Sequence, residues 1–217
     1  MDACGCDAFA SIFDRRTAER DRDRYHRNGP DRTTRMLLEQ LAPYQGSGTT
    51  LLDIGGGIGI IDQELLRAGA GHAVLVDGSP AYLDVARQEA RRANLLDRIE
   101  FVEGDFTKRA DAIDPADIVT LDRVICCYPD AEALVGLSVA RAATVYGLVL
   151  PRDRRLTRLA IALFNASYRL RRKAYRAYVH STARVDEIVA ASGLQLRSER
   201  RTFIWRVVVY DRQASTG

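Results

Sequence analysis

The chain has 217 residues, 47% of them hydrophobic, with 32 Lys and Arg set against 29 Asp and Glu for a net charge of +3. It is long enough to bury a sizeable core as one elaborated domain, and the near balance of charge excludes an acidic disordered protein and gives no overall nucleic-acid signature. No run approaches the roughly 18 apolar residues of a membrane span, and Met1-Asp2-Ala3-Cys4-Gly5-Cys6 lacks the basic-then-apolar layout of a secretory signal, so the expectation is a soluble cytoplasmic protein.

Residues 1–35 are polar and dense in mixed charge, with sparse apolar positions at Phe9, Ile12, Phe13 and Tyr25. They read as an N-terminal helical arm ended by Asn28-Gly29-Pro30, ahead of a main domain over residues 36–217. Thr33 is the expected N-cap of a helix through Leu41 that turns Met36, Leu37, Leu38 and Leu41 inward. From there the pattern alternates. Thr49–Ile54, Ala73–Val76, Ile99–Val102, Asp117–Leu121 and Val145–Leu150 are short apolar runs that read as strands. Helical stretches separate them: one through Leu65, Leu66 and Ala68, one from Pro80 to Ala93, and one from Asp130 to Ala143. Nearly all-apolar strands alternating with helices predict a parallel sheet covered on both faces. A helix near Ala183–Ala191 and Gly193 precede Leu194–Arg200 and Thr202–Tyr210, two runs joined tightly enough to form an antiparallel hairpin at the sheet edge.

The most informative segment is Leu51-Leu52-Asp53-Ile54-Gly55-Gly56-Gly57-Ile58-Gly59. Its glycines permit positive φ and close approach of a ligand to backbone where a buried strand turns into a helix, the place at which open α/β sheets bind nucleotides. Asp77, about 20 residues on, ends the next strand where a carboxylate suits a ribose diol. A dinucleotide fingerprint fails, because Ile60 and Asp62 stand where its third glycine belongs. Asp53 argues further: pyrophosphate avoids a carboxylate, whereas a sulfonium or an α-amino group favours one. A cofactor with positive charge and a ribose is implied.

Asp53-x-Gly55-x-Gly57-x-Gly59 resembles the first motif of class I S-adenosylmethionine-dependent methyltransferases. The resemblance runs from about residue 33 to 210 and takes in Val76-Asp77, Gly104-Asp105-Phe106 and Leu121-Asp122-Arg123-Val124, in order and at proper spacing. It implies a Rossmann-like seven-stranded α/β sheet of order 3-2-1-4-5-7-6 with strand seven antiparallel, helices on both faces, and S-adenosylmethionine as cofactor with S-adenosylhomocysteine as product. It also implies that Gly55 and Gly57 approach the methionine part, Asp77 holds the ribose hydroxyls, Asp105 accepts from the adenine amino group and Phe106 packs on the ring. Asp53, Gly56, Gly78, Ser79, Leu121 and Asp122 complete the expected cofactor site. More loosely, Phe13-Asp14, the Tyr25 region, Leu121-Asp122-Arg123 and Val179-His180 resemble Mg-protoporphyrin O-methyltransferases.

Methyl transfer from a sulfonium is mainly a matter of alignment, with a base needed only when the acceptor arrives protonated. Asp122, Tyr128 and His180 are the candidate catalytic residues. The chain lacks the Asn/Asp-Pro-Pro-Tyr/Phe turn of exocyclic-amine methylation and the Pro-Cys nucleophile of cytosine-C5 enzymes. Asp122 and Asp153 lack the Asp-Asn partner of metal-dependent catechol-type enzymes. Cys4/Cys6 and Cys126/Cys127 have no zinc-knuckle spacing, so neither a metal nor a disulfide framework is expected.

Residues 151–180 read as a basic helical insert after strand five. Within 151–176 lie nine Arg or Lys and one acid, Asp153, a net +8 against −5 for the rest of the chain. Leu156, Leu159, Leu163, Ala166 and Leu170 form a helical stripe. The apolar middle from Leu159 to Tyr168 makes about 15 Å of helix, too short to span a bilayer. It suits a packed lid with solvated ends, a lid over an anionic or flat substrate, or a helix resting on an anionic membrane surface. The leading expectation is a methyltransferase acting on a small or medium organic acceptor, anionic or amphipathic, at oxygen. The alternatives are an RNA methyltransferase that grips phosphate with the insert and a non-catalytic cofactor-binding subunit.

Overall fold

Strands that are apolar on both faces need cover on both sides, and the computed structural model, which describes residues 12–172 and 175–212, supplies it. In chain order the helices and strands are α1 (Arg15–Asn28), α2 (Arg32–Leu41), β1 (Thr50–Ile54), α3 (Ile60–Arg67), β2 (His72–Asp77), α4 (Pro80–Arg92), β3 (Ile99–Glu103), the single turn α5 (Phe106–Arg109), β4 (Ala116–Asp122), α6 (Ala131–Val139), β5 (Ala142–Pro151), α7 (Arg155–Leu170), α8 (Thr182–Ala191), β6 (Gln195–Arg201) and β7 (Trp205–Asp211). The sheet has seven strands in the order β3-β2-β1-β4-β5-β7-β6. The first five pair in parallel, and β7 runs antiparallel to both β5 and β6. This is the topology that the sequence resemblance implied.

Alternation along each strand divides the core. Leu51, Leu75 and Ile118 meet Leu37 and Leu41 of α2, Leu65 of α3 and Leu83 of α4 on one face. Leu52, Ile54, Val119 and Leu121 meet Leu134 and Val135 of α6 and Val185 and Val189 of α8 on the other. Each such leucine contributes about 1.5–3 kcal/mol through burial. The order of strands reverses at β1, which pairs with β2 on one side and β4 on the other, so a crevice opens beyond the carboxyl ends of these three strands.

Three local expectations are corrected. The N-cap of α2 is Asp31, not Thr33: Asp31 Oδ1 accepts from the backbone N–H groups of Thr33 and Thr34, each at 3.1 Å, and Thr33 sits inside the first turn. The helix predicted from Asp130 to Ala143 ends at Val139, because Ala142 pairs with Ala116 and starts β5. Sheet pairing there overrides the helix preference of Ala140, Ala142 and Ala143. Strand β7 begins at Trp205, not Thr202. Thr202 N–H donates to the Trp205 carbonyl at 2.8 Å and Trp205 N–H donates to Thr202 Oγ1 at 2.9 Å, closing the hairpin turn.

The N-terminal arm is stapled to the domain. Asp14 caps α1 through Thr17 N–H at 2.8 Å, and Gly29 ends it at φ 70°. Tyr82 Oη of α4 donates to Asp21 at 2.6 Å, and Ser79 Oγ donates to the Phe13 carbonyl at 2.6 Å. Tyr25 bonds to Glu64, and His26 to Glu89.

Candidate functional site

The crevice at the strand ends is a cavity of about 430 Å³. Its floor follows from the glycine loop. Gly55, Gly57 and Gly59 have φ of 66°, 61° and 75°, the left-handed region open to glycine at little cost. A side chain at Gly55 would start 2.5 Å from a Val124 methyl, and one at Gly56 would start 2.7 Å from Asp53 Oδ2. The loop is therefore pressed against the turn after β4 on one side and the Asp53 carboxyl on the other.

Asp77 ends β2 beside that loop. Its Oδ2 accepts from Gly57 N–H at 3.0 Å and its Oδ1 from Ser79 N–H at 2.7 Å, which leaves lone pairs on both oxygens for further donors. Burial pushes its pKa up to about 6, against the opposing pull of those two amides. Gly78, Ser79, Ile54, Val76, Gly104 and the buried Phe106 line the cavity around it.

Beneath the loop lies a pair of buried acids. Asp53 Oδ1 accepts from Thr120 Oγ1 at 2.6 Å, while its Oδ2 and both oxygens of Asp62 meet no protein donor. The two carboxyls stand within hydrogen-bonding reach of each other, a bond that forms only when one carries a proton. Burial raises Asp62 to about 7, and Asp53, desolvated and facing Asp62, is raised well above the carboxylate range. Desolvation and mutual repulsion thus both favour the protonated forms of the pair. Asp53 lines the cavity; Asp62 sits behind it.

The turn after β4 forms the opposite wall. Arg123 has φ 63°, a left-handed conformation that costs a non-glycine residue on the order of 1–2 kcal/mol. Its guanidinium offsets that strain by pairing with Asp122 at 2.9 Å and with Asp31, while Asp122 also accepts from Thr34 Oγ1. Tyr128 lines the cavity, and its hydroxyl donates to Asp105 Oδ1 at 2.6 Å. Asp105 also caps α5 through Thr107 N–H at 3.0 Å.

The structure brings Asp53, Gly55, Gly56, Gly57, Asp77, Gly78, Ser79, Phe106, Asp122 and Tyr128 to one cavity. Asp105 stands one step back, behind Tyr128, and Leu121 is fully buried in the core. His180 lies elsewhere, in a shallow recess with Glu132 and Arg184, its Nε2 2.9 Å from the Tyr128 carbonyl oxygen. Cys126 and Cys127 are free thiols, and Cys127 Sγ lies 3.0 Å from Tyr175 Oη. Cys4 and Cys6 fall outside the described residues. Sequence reasoning missed Phe13, Asp21 and Arg24 from the arm, Tyr82 from α4, and Tyr175 and Trp205 from the C-terminal half, all of which line the cavity. Phe13-Asp14 and the Tyr25 region, through their resemblance to Mg-protoporphyrin O-methyltransferases, are the sequence signals that point to the arm.

Residues 51–144 match a family model described as "Methyltransferase domain". The ribosomal protein L11 methyltransferase of Clostridium perfringens (strain SM101 / Type A) is 35% identical over 105 residues, which are 47% of this chain and 33% of that protein. The chain thus spans about a third of the length of the curated relatives it matches. Among solved structures, the magnesium protoporphyrin IX methyltransferase of Synechocystis PCC 6803 with bound S-adenosylhomocysteine superposes with a TM-score of 0.68 at 21% identity, covering 83% of this chain and 82% of that one. An O-methyltransferase family protein from Burkholderia thailandensis gives a TM-score of 0.68 at 19% identity, covering 84% of this chain and 55% of the other. These likenesses establish the fold.

Proposed function

With residues 51–144 a methyltransferase domain on this fold, we propose that the protein transfers a methyl group from S-adenosylmethionine to an oxygen of a small or medium organic acceptor, anionic or amphipathic in character. The observation that carries the reading is the Asp77 carboxylate, fixed by Gly57 and Ser79 amides at the end of β2 and opening onto the cavity beside two left-handed glycines. A ribose diol donates to such a carboxylate, the glycine backbone gives the rest of the cofactor room, and Phe106, Ile54 and Val76 offer an apolar wall to a purine. The acidic floor under Gly56 suits the ammonium and sulfonium charges. The cofactor supplies the electrophilic methyl group; the chain has only to bind, orient and exclude water.

The remaining cavity supports the acceptor class. Phe13, Tyr175 and Trp205 provide flat apolar surface, and Arg24 and Arg123 bring two guanidinium groups. No histidine or lysine stands among the described lining residues. An acceptor that is already ionised at oxygen needs placement and no general base. On this reading Asp122 and Tyr128 position the acceptor-side turn, and His180 buttresses it through the Tyr128 carbonyl.

The test is direct. The full chain should bind S-adenosylhomocysteine with a stoichiometry near one by calorimetry, and incubation with labelled S-adenosylmethionine and cell extract should place label on an organic-soluble acid or phenol. Label confined to RNA, or to protein, would replace the acceptor class; absence of product binding would remove the activity.

A further inference from the structure

Helix α7 spends its apolar side chains on solvent. Its inward row, Thr157, Ile161 and Tyr168, faces the domain, whereas Leu156, Leu159, Leu163 and Leu170 are 64%, 57%, 64% and 86% exposed. Their spacing of 3, 4 and 7 residues sets all four on one outward stripe at 100° per residue. Arg155, Arg158 and Arg169 share the adjoining row by the same rule. Over residues 151–172 there are seven arginines and a single acid, Asp153, which pairs with Arg158 at 2.7 Å. Across the same end of the domain, the β6–β7 turn exposes Phe203 and Ile204, 73% and 43%, and Arg152 N–H ties the approach to α7 to this turn by donating to the Ile204 carbonyl at 2.8 Å.

We propose that the outward face of α7 and the β6–β7 turn together form a docking surface for an anionic lipid bilayer. An apolar stripe bordered by arginines on a surface helix is the pattern that lies in a membrane interface: leucines enter the acyl boundary and guanidinium groups meet lipid phosphates. The charge chooses this occupant over the others. A second copy of the chain would set arginine rows against each other across a two-fold axis. An RNA would neutralise the arginines and leave the four leucines in water, where stacking aromatics would be expected instead. No described helix is long and apolar enough to cross a membrane, so the contact is peripheral.

The helix and the turn that carry this surface also adjoin the cavity, α7 through its opposite, inward side. Phe164 and Tyr168 of α7 pack with ring centroids 4.3 Å apart and approach Tyr175, a cavity wall, at 6.4 and 6.1 Å. Trp205, another cavity wall, follows Ile204. If the acceptor is amphipathic, as proposed above, a bilayer-held molecule reaches the site without passing through water; that consequence rests on the proposed activity, while the docking itself does not.

Sedimentation of the full chain with vesicles tests the surface. It should pellet with phosphatidylcholine mixed with phosphatidylglycerol and stay in solution with phosphatidylcholine alone. Leu159→Ser/Leu163→Ser should lower the partition coefficient on the order of a hundred-fold. Arg155→Gln/Arg169→Gln should lower it about thirty-fold and flatten its salt dependence. Both pairs are exposed, so S-adenosylhomocysteine affinity should be unchanged in each, which separates failure of the surface from failure of the proposed activity. Wild-type protein that ignores anionic vesicles, or a leucine variant that still pellets fully, would overturn the proposal. So would a leucine-dependent dimer in vesicle-free buffer, or RNA binding with a steep salt slope that the arginine variant loses.

Discussion

Replacing Asp62 by asparagine should stabilise the protein at neutral and alkaline pH and change little in acid. An unfolded aspartic acid ionises near pH 3.9, whereas buried Asp62 keeps its proton up to about pH 7. Between those values the native state binds more protons than the unfolded state, so stability falls as pH rises. Below the unfolded value both states are protonated and nothing is lost; above about 7 the whole loss is present. Roughly three pH units at about 1.4 kcal/mol each set an upper bound near 4 kcal/mol. Asparagine is neutral at every pH and can donate to Asp53 Oδ2, which meets no protein donor. The expected gain is about 2–4 kcal/mol at pH 8, shrinking toward zero at pH 4. Urea unfolding of both proteins across that range should show it as a midpoint shift of about 1–2 M at pH 8. A gain of equal size at all pH values, or a loss at pH 8, would refute the account of a buried Asp62 held in its protonated form.

Gly57→Val puts a β-branched residue at φ 61° beside Tyr82, so binding of S-adenosylhomocysteine should disappear from calorimetric titrations while the circular dichroism of the folded sheet persists. Asp77→Ala should weaken the same binding by about 1.5–3 kcal/mol, and a 2′,3′-dideoxy analogue should bind mutant and wild type alike. Because burial holds Asp77 near pH 6, its carboxylate is charged above that value and neutral below it. Wild-type affinity should therefore decline as pH falls through about 6, and this decline should be absent in Asp77→Ala. Tyr82→Phe removes the bond to Asp21 and should cost about 1 kcal/mol of stability. Hydrogen exchange should then speed up across Arg15–Asn28, with β1 and β4 unaffected.

What could be read ahead of the structure was whatever chemistry is local in the chain. The run from Asp53 to Gly59 announces itself because only glycine tolerates its backbone, and Asp77 follows at a spacing fixed by one βαβ turn. The strand order, too, is implied by the family resemblance that these motifs carry. The remaining walls are assembled from distance. Tyr175 and Trp205 reach the cavity from beyond β5, and no motif or spacing around them points to it. Arg24 belongs to a helix with few apolar residues, where a charge run reads as a solvated face. Asp62 is the sharpest case. An acid in the first turn of α3 looks like an ordinary partner for the helix dipole, and nothing one-dimensional says that it faces Asp53 inside the core.

The stapled arm has a consequence for the order in which the site is made. During synthesis α1 emerges before any residue that holds it. Tyr25 waits for Glu64, 39 positions later, Asp21 for Tyr82, 61 later, and His26 for Glu89, 63 later. Until α3 and then α4 have left the ribosome, this stretch lacks these partners, and its polar composition lets it wait in water without aggregating. The cavity thus acquires its arm wall late, from the part of the chain translated early. A nascent chain stalled after β1 would carry the glycine loop and no wall to face it.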